Sequence, residues 1–147
     1  MSVFTDKWID EHKDELVEKL QQCVRINSVR DDGSTREGAP FGEGAAKCLE
    51  DTLNTAKEMG FEVKNLDGYC GTVDYGTGEE QLGILAHLDV VPEGEGWTYP
   101  PYAAEIHDGR LYGRGTMDDK GPAFAALFGL AAVKASGVET KRRVRLI

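Results

Sequence analysis

Two short stretches hold residues whose types and spacing can do chemistry. In "GILAHLDVVPEG", residues 83–94, the apolar run Ile84-Leu85-Ala86 meets His87 and Asp89. Residues i and i+2 of a strand face the same side. An imidazole and a carboxylate therefore point together at a strand end, the place where open α/β sheets form their sites. A metal suits this pair. One ring nitrogen would bind it, while Asp89 holds the other N–H, fixing the tautomer and raising ligand basicity. Read alone, the pair is more simply a polar cap, because His-x-Asp arises often by chance.

The second stretch shifts that balance. "GRGTMDDKGP", residues 113–122, sets Asp118 and Asp119 side by side between a glycine-rich turn and a helix start. Adjacent carboxylates repel, and burying them without a cation is costly. A helix N-terminus also favours nearby negative charge. One of the two can serve as a helix cap. For both, with His87 and Asp89 upstream, a metal is the better reading.

Several elements must position these residues. A first helix, capped by Thr5 or Asp6, is predicted to run to about residue 26, with Trp8, Ile9, Leu16, Val17, Leu20 and Val24 on its apolar stripe. Residues 27–44 are polar and glycine-rich and read as a loop. A second helix is predicted over about 43–59, with Gly60 at its C-terminal end. "FEVKNL" and "CGTVDYG" read as strands, with Gly76-Thr77-Gly78 as a turn. "QLGILAHLDVV" is the most apolar strand and is predicted to be central. "AAEIHDGRLYG" reads as a hairpin turning at Asp108-Gly109. Pro122 opens a helix over about 121–135 that is apolar on nearly every side, hence buried, and Gly137 ends it. "KRRVRLI" alternates like a strand. This order predicts an α/β layered domain with a mostly buried central sheet flanked by helices.

Composition bounds the rest. The 147 residues are enough for one domain with a core, and 40% hydrophobic with 29% charged residues fits a globular chain. A formal net charge of −9 argues against nucleic acid or an anionic membrane surface as the main partner. No run approaches the roughly 20 apolar residues of a membrane helix. The start lacks the basic and apolar regions of a secretory signal. Cys23, Cys48 and Cys70 have no metal-like spacing and read as small buried residues in a reducing compartment. A cytoplasmic location follows as the expectation. Oligomeric state is not legible. The last strand stops at Ile147 without a polar tail, so a front piece of a longer protein is expected.

"AHLDVVPEGEGW" followed by "PPYAAEIHDGRLYGRGTMDDKGP" resembles the co-catalytic zinc peptidase family of PepV-type dipeptidases, carnosinases, carboxypeptidase G, acetylornithine deacetylase and succinyl-diaminopimelate desuccinylase. "GAPFGEGAAKCLE" resembles the PepV-type dipeptidases in particular. The resemblance covers about residues 8–147. It implies a two-zinc hydrolase of dipeptides, with cobalt or manganese able to replace zinc. It further implies that His87 ligates one zinc and Asp118 bridges both. Asp89 is then the catalytic-site residue that orients His87, Asp119 is structural, and the Asp118–Asp119 peptide bond is cis. Two metals about 3.5–4 Å apart polarise a carbonyl and lower the pKa of a bridging water. A glutamate then carries the proton. The family's adjacent Glu-Glu pair would follow the strand that "RVRLI" begins. The pair at Glu79-Glu80 precedes the first motif and reads as solvated surface. The remaining ligands and an inserted lid domain are likewise expected outside these residues, so the 147-residue chain alone is expected to be inactive and to bind zinc weakly.

Two other readings stand beside this one. An amidohydrolase of the same family would cleave N-acyl amino acids. A non-catalytic interaction module would keep the fold alone, against which His87, Asp89 and Asp118 all stand intact. Trp97, Tyr99, Pro100, Pro101 and Tyr102 read as packing a loop onto the sheet rather than bordering a cleft. His12 and His107 read as exposed and without a role, and Cys48 as core packing. Gly113 and Gly115 read as backbone positions needing unusual angles or close approach. Arg114 and Lys120 read as structural partners of nearby carboxylates.

Overall fold

The computed structural model describes residues 3–147. Its elements are α1 (Val3–Val24), a short 3-10 turn (Asp32–Ser34), α2 (Glu43–Glu58), β1 (Glu62–Leu66), β2 (Cys70–Tyr75), β3 (Gln81–Ile84), β4 (Glu105–His107), β5 (Arg110–Tyr112), α3 (Lys120–Ala135) and β6 (Arg143–Leu146). This is the predicted order. The predicted cap at Thr5 or Asp6 is corrected: α1 already starts at Val3, and Asp6 lies in its first turn. Gly60 and Gly137 take positive φ just beyond α2 and α3, the backbone state that ends helices most cheaply at glycine.

Four strands form one sheet in the order β1-β2-β6-β3, with β3 and β6 parallel and the other pairs antiparallel. The chain crosses from β3 to its parallel neighbour β6 through the β4–β5 hairpin and α3. Asp108 and Gly109 both have positive φ at the hairpin tip, as a two-residue turn of this hand requires.

The core forms two clusters that share α3. Leu127, Leu130 and Ala131 meet Val73 and Leu146 of the sheet together with Leu53, Ala56 and Phe61. Phe124 and Phe128, toward the other side, meet Leu20, Cys23 and Val24 of α1 and Cys48 of α2. A helix held between the sheet and a further helix must be apolar almost all round, which explains its sequence. The free thiols of Cys23 and Cys48 lie 3.4 Å apart inside this second cluster, in keeping with a packing role.

Two expectations are corrected. Within residues 3–147 the strand predicted to be central pairs on one side only, and β6 takes the inner place. Leu82 is 49% exposed and Leu85 79%. The sheet is also not mostly buried. Val63, Val73, Leu146 and Ile84 form a cross-strand row on the core side, whereas the next row carries Glu62, Asp74 and Arg145. On that face Thr72 and Asp74 of β2 are buried, Asp74 against Arg145, while β1 is exposed at every position except Val63. Helices cover one face of the sheet, where the side-chain pattern is apolar.

Candidate metal centre beyond β3

The motif strand changes partners at its end. Ile147 N–H donates to Ile84 O at 2.9 Å, and Ala86 N–H donates to Ile147 O at 3.0 Å. Beyond Ala86 the support comes from the loop after α1. The buried Ser28 hydroxyl donates to Leu88 O at 2.6 Å, and Val90 N–H donates to Ser28 O at 3.3 Å. Val29 and Val90 form a parallel bridge. His87 and Asp89 thus sit where the chain leaves the sheet and is caught by residues about sixty positions earlier.

The structure brings His87, Asp89 and Asp118 together. His87 Nδ1 lies 3.1 Å from Asp89 O and 3.3 Å from Asp89 Oδ1. On the opposite side of the ring, His87 Nε2 lies 3.1 Å from Asp118 Oδ1. Asp119 turns away from that ring nitrogen: its Oδ2 accepts the His87 backbone N–H at 3.3 Å. The Asp118–Asp119 peptide bond is cis. Desolvation pulls the His87 pKa down, but the Asp89 carbonyl, the Asp118 carboxylate and the charges of both aspartates outweigh it, so the net shift is upward.

These groups fit a metal in part. Two ligands of one tetrahedral zinc, each about 2.0–2.1 Å from the ion, stand about 3.3 Å apart. The separation between His87 Nε2 and Asp118 Oδ1 is close to that bite. Asp89 occupies Nδ1, which leaves Nε2 as the nitrogen that could meet a metal. Among the described residues no group of three histidine, cysteine, aspartate or glutamate side chains gathers as a metal cage. The pair is therefore a partial ligand set.

A cavity of 380 Å³ opens beside His87 and Asp89 and runs over Leu49, Leu127 and Leu146 toward Tyr69. A slightly larger one, 410 Å³, lies among α1, α2 and α3 at Trp8 and Lys134, without any of the motif residues. The chemistry lies beside the first, since only there do the imidazole and carboxylate meet.

The surrounding side chains depart from expectation. The loop aromatics fasten the loop to itself and to the β4–β5 hairpin. Trp97 Nε1 donates to Glu93 O at 2.8 Å, Arg114 lies 5.2 Å from the Trp97 ring centroid, and Tyr102 OH donates to Glu93 Oε2 at 3.1 Å. Burial, then the Glu93 carboxylate, push the Tyr102 pKa up to about 12. His107 is not idle: it stacks on Tyr99 with centroids 3.8 Å apart and bonds Glu105 Oε2 at 2.7 Å. His12 likewise stacks on Trp8. Arg114 and Lys120 bond main-chain carbonyls rather than carboxylates. Glu80 stays exposed and pairs with Arg142 at 2.7 Å. Sequence reading missed Ser28, because its hydroxyl acts on a main-chain carbonyl and no side-chain pairing signals it.

Residues 83–147 match the sequence model of Peptidase family M20/M25/M40. Over 135 residues the chain is 45% identical to the Bacillus subtilis protein named "Putative dipeptidase YtjP", covering 92% of this chain and 29% of that one. The chain is related to the M20 peptidases. The Beta-Ala-Xaa dipeptidase of Lactobacillus delbrueckii subsp. lactis is 39% identical over 136 residues, again 92% of this chain and 29% of that protein. Human carnosine dipeptidase 1 superposes with a TM-score of 0.76 at 25% identity, over 97% of this chain and 33% of its own. The α/β layering is thus that of a solved dipeptidase. The chain spans 29% of the length of each of these two curated relatives.

Proposed function

We propose that these residues are the front part of the catalytic domain of a metal-dependent dipeptidase that uses two zinc ions. The observation that carries this reading is the meeting of His87 Nε2 and Asp118 Oδ1 at 3.1 Å, with the other ring nitrogen against Asp89. The relatives' printed names support dipeptides as the substrate class. His87 would hold one ion and Asp118 would bridge two. When bound, the metals supply carbonyl polarisation and an acidified water. The chain's own part is positional. Asp89 keeps the Nδ1 proton and so aims Nε2. Asp119 accepts the His87 N–H and fixes the distance between the two motif segments. The general base and the remaining ligands would come from sequence outside these residues, so the 147-residue chain alone should not turn over substrate.

The test uses the longer protein that carries this chain. Rates are compared on an unblocked dipeptide and on an N-acetyl amino acid, with and without a chelator, for wild type and Asp118→Ala. Dipeptide hydrolysis that the chelator and the substitution both abolish is the expected result. Faster cleavage of the N-acetyl amino acid would favour a deacylase. Hydrolysis untouched by chelator and by Asp118→Ala would overturn the metal reading.

A further inference from the structure

Lys120 is fully buried, with 0% of its surface exposed. Its ammonium donates to Cys23 O at 3.0 Å and to Ile26 O at 2.8 Å. Both acceptors are main-chain carbonyls at the end of α1, a helix with no basic residue in its last turn. The C-terminal end of a helix carries partial negative charge on carbonyls that lack helical partners. The cation that answers it here comes from the first residue of α3, 97 positions away from Cys23. Burying an ammonium is costly unless its donors are satisfied, so the pairing fixes the side chain in one place.

What this bond joins is the reason it matters. Ile26 lies two residues before Ser28, whose hydroxyl holds Leu88 O between His87 and Asp89. Lys120 lies two residues after Asp118, and its backbone N–H donates to Gly115 O at 3.0 Å at the start of the same loop. The Lys120 stem passes Gly115 so closely that a Cβ there would stand 3.1 Å from Lys120 Cδ and 2.9 Å from Val90 Cγ1. One buried ammonium therefore connects the segment that supports His87 with the segment that carries Asp118.

We propose that Lys120 is a positioning residue for the metal pair, a strut from the start of α3 to the end of α1 that sets how His87 Nε2 and Asp118 Oδ1 face each other. The inference rests on the metal reading above. Lys120 touches no reacting atom. It acts through the two segments that it ties together. Outer partners of metal ligands commonly change affinity by about 10–100-fold when removed, and the same scale applies here.

The test is zinc titration of the 147-residue chain, read from the His87 ring signals by NMR so that weak binding is measurable. Four proteins are compared: wild type, Lys120→Met, Asp118→Ala and Leu130→Ala. Leu130 is a buried core residue on the same helix, and its truncation removes stability without touching the strut. Lys120→Met is expected to weaken zinc binding by about tenfold or more, while Leu130→Ala binds as wild type does. If Lys120→Met does not fold in buffer, it is compared with wild type in trimethylamine N-oxide, an excluded osmolyte that favours burial. Wild-type affinity in Lys120→Met, with binding lost in Asp118→Ala, overturns the strut alone. Equal weakening in Lys120→Met and Leu130→Ala also overturns it, since stability would then explain the loss. Unchanged binding in Asp118→Ala overturns the metal reading and takes the strut with it.

Discussion

Leu85 and Phe128 both lie in strongly apolar runs of the sequence, and truncating each to alanine should give losses of stability of very different size. Phe128 is fully buried between α3 and α1, 6.4 Å from the Trp8 ring. Phe128→Ala removes a ring whose space cannot refill, and such changes cost about 3–5 kcal/mol. Leu85 is 79% exposed. Full burial of a leucine is worth about 1.5–3 kcal/mol, so the remaining fifth is worth about 0.3–0.6 kcal/mol. The assay is urea unfolding of the 147-residue chain followed by circular dichroism. With a slope of about 2 kcal/mol per molar, Phe128→Ala lowers the midpoint by about 2 M and Leu85→Ala by about 0.2–0.3 M. Had the motif strand been central and buried, Leu85→Ala would cost about 2–5 kcal/mol. A midpoint drop of about 1 M or more for Leu85→Ala would refute the exposed placement of Leu85. Equal shifts in the two variants would refute the account of α3 as the shared helix of both clusters.

Asp74 accepts two hydrogen bonds from Arg145, at 2.7 and 2.9 Å, and these chiefly hold its pKa below the ordinary carboxylate value. A depressed folded pKa gives stability that is present above about pH 3.9 and lost as pH falls through the folded value; Asp74→Asn should therefore lower the urea midpoint at pH 7, with the gap to wild type narrowing toward pH 3. A Cβ on Gly121 would collide with Thr116 O, so Gly121→Ala should cost about 1–3 kcal/mol, and a neutral effect in thermal unfolding would contradict the close approach. Zinc at a hundred times its dissociation constant should stabilise the chain by about 2.7 kcal/mol in thermal unfolding. EDTA should reverse that gain and His87→Gln should abolish it. The gain should fade on acidification as His87, whose pKa is raised, takes up a proton that competes with the metal.

Local signals were legible where a local rule suffices. The Asp108-Gly109 turn demanded positive φ at both positions, and the hairpin formed there. The all-round apolar pattern of α3 announced a helix packed on two sides. The two motifs pointed to His87, Asp89 and Asp118, and the fold brings them within hydrogen-bond reach. Strand order was not legible. An apolar run resembles a central strand whether its sides meet protein or solvent, and Leu82 and Leu85 meet solvent here. The partners of the aromatic loop were not legible for a related reason. Trp97, Tyr99 and Tyr102 have local partners in Glu93, Arg114 and His107, and composition does not tell a ring packed on a sheet from one packed on its own loop.

An imidazole and a carboxylate end this apolar strand because the strand runs into a junction. Sheet pairing stops at Ala86, and the next residues belong to a junction of three segments. The loop after α1 holds Leu88 and Val90, the motif itself supplies His87 and Asp89, and the start of α3 supplies Asp118 and Asp119. At such a junction a side chain is partly exposed for a ligand while its backbone is fixed from both sides. Helix polarity sharpens the arrangement, because the N-terminus of α3 favours the two carboxylates and the C-terminus of α1 favours the Lys120 ammonium. Opposite helix ends therefore take opposite charges across a few residues, Asp118 remaining exposed, Asp119 half-buried and Lys120 enclosed. The same Asp-Asp-Lys sequence thus divides into a carboxylate open to a cation, Asp118, one spent on the His87 backbone, Asp119, and a buried cation that ties two segments together.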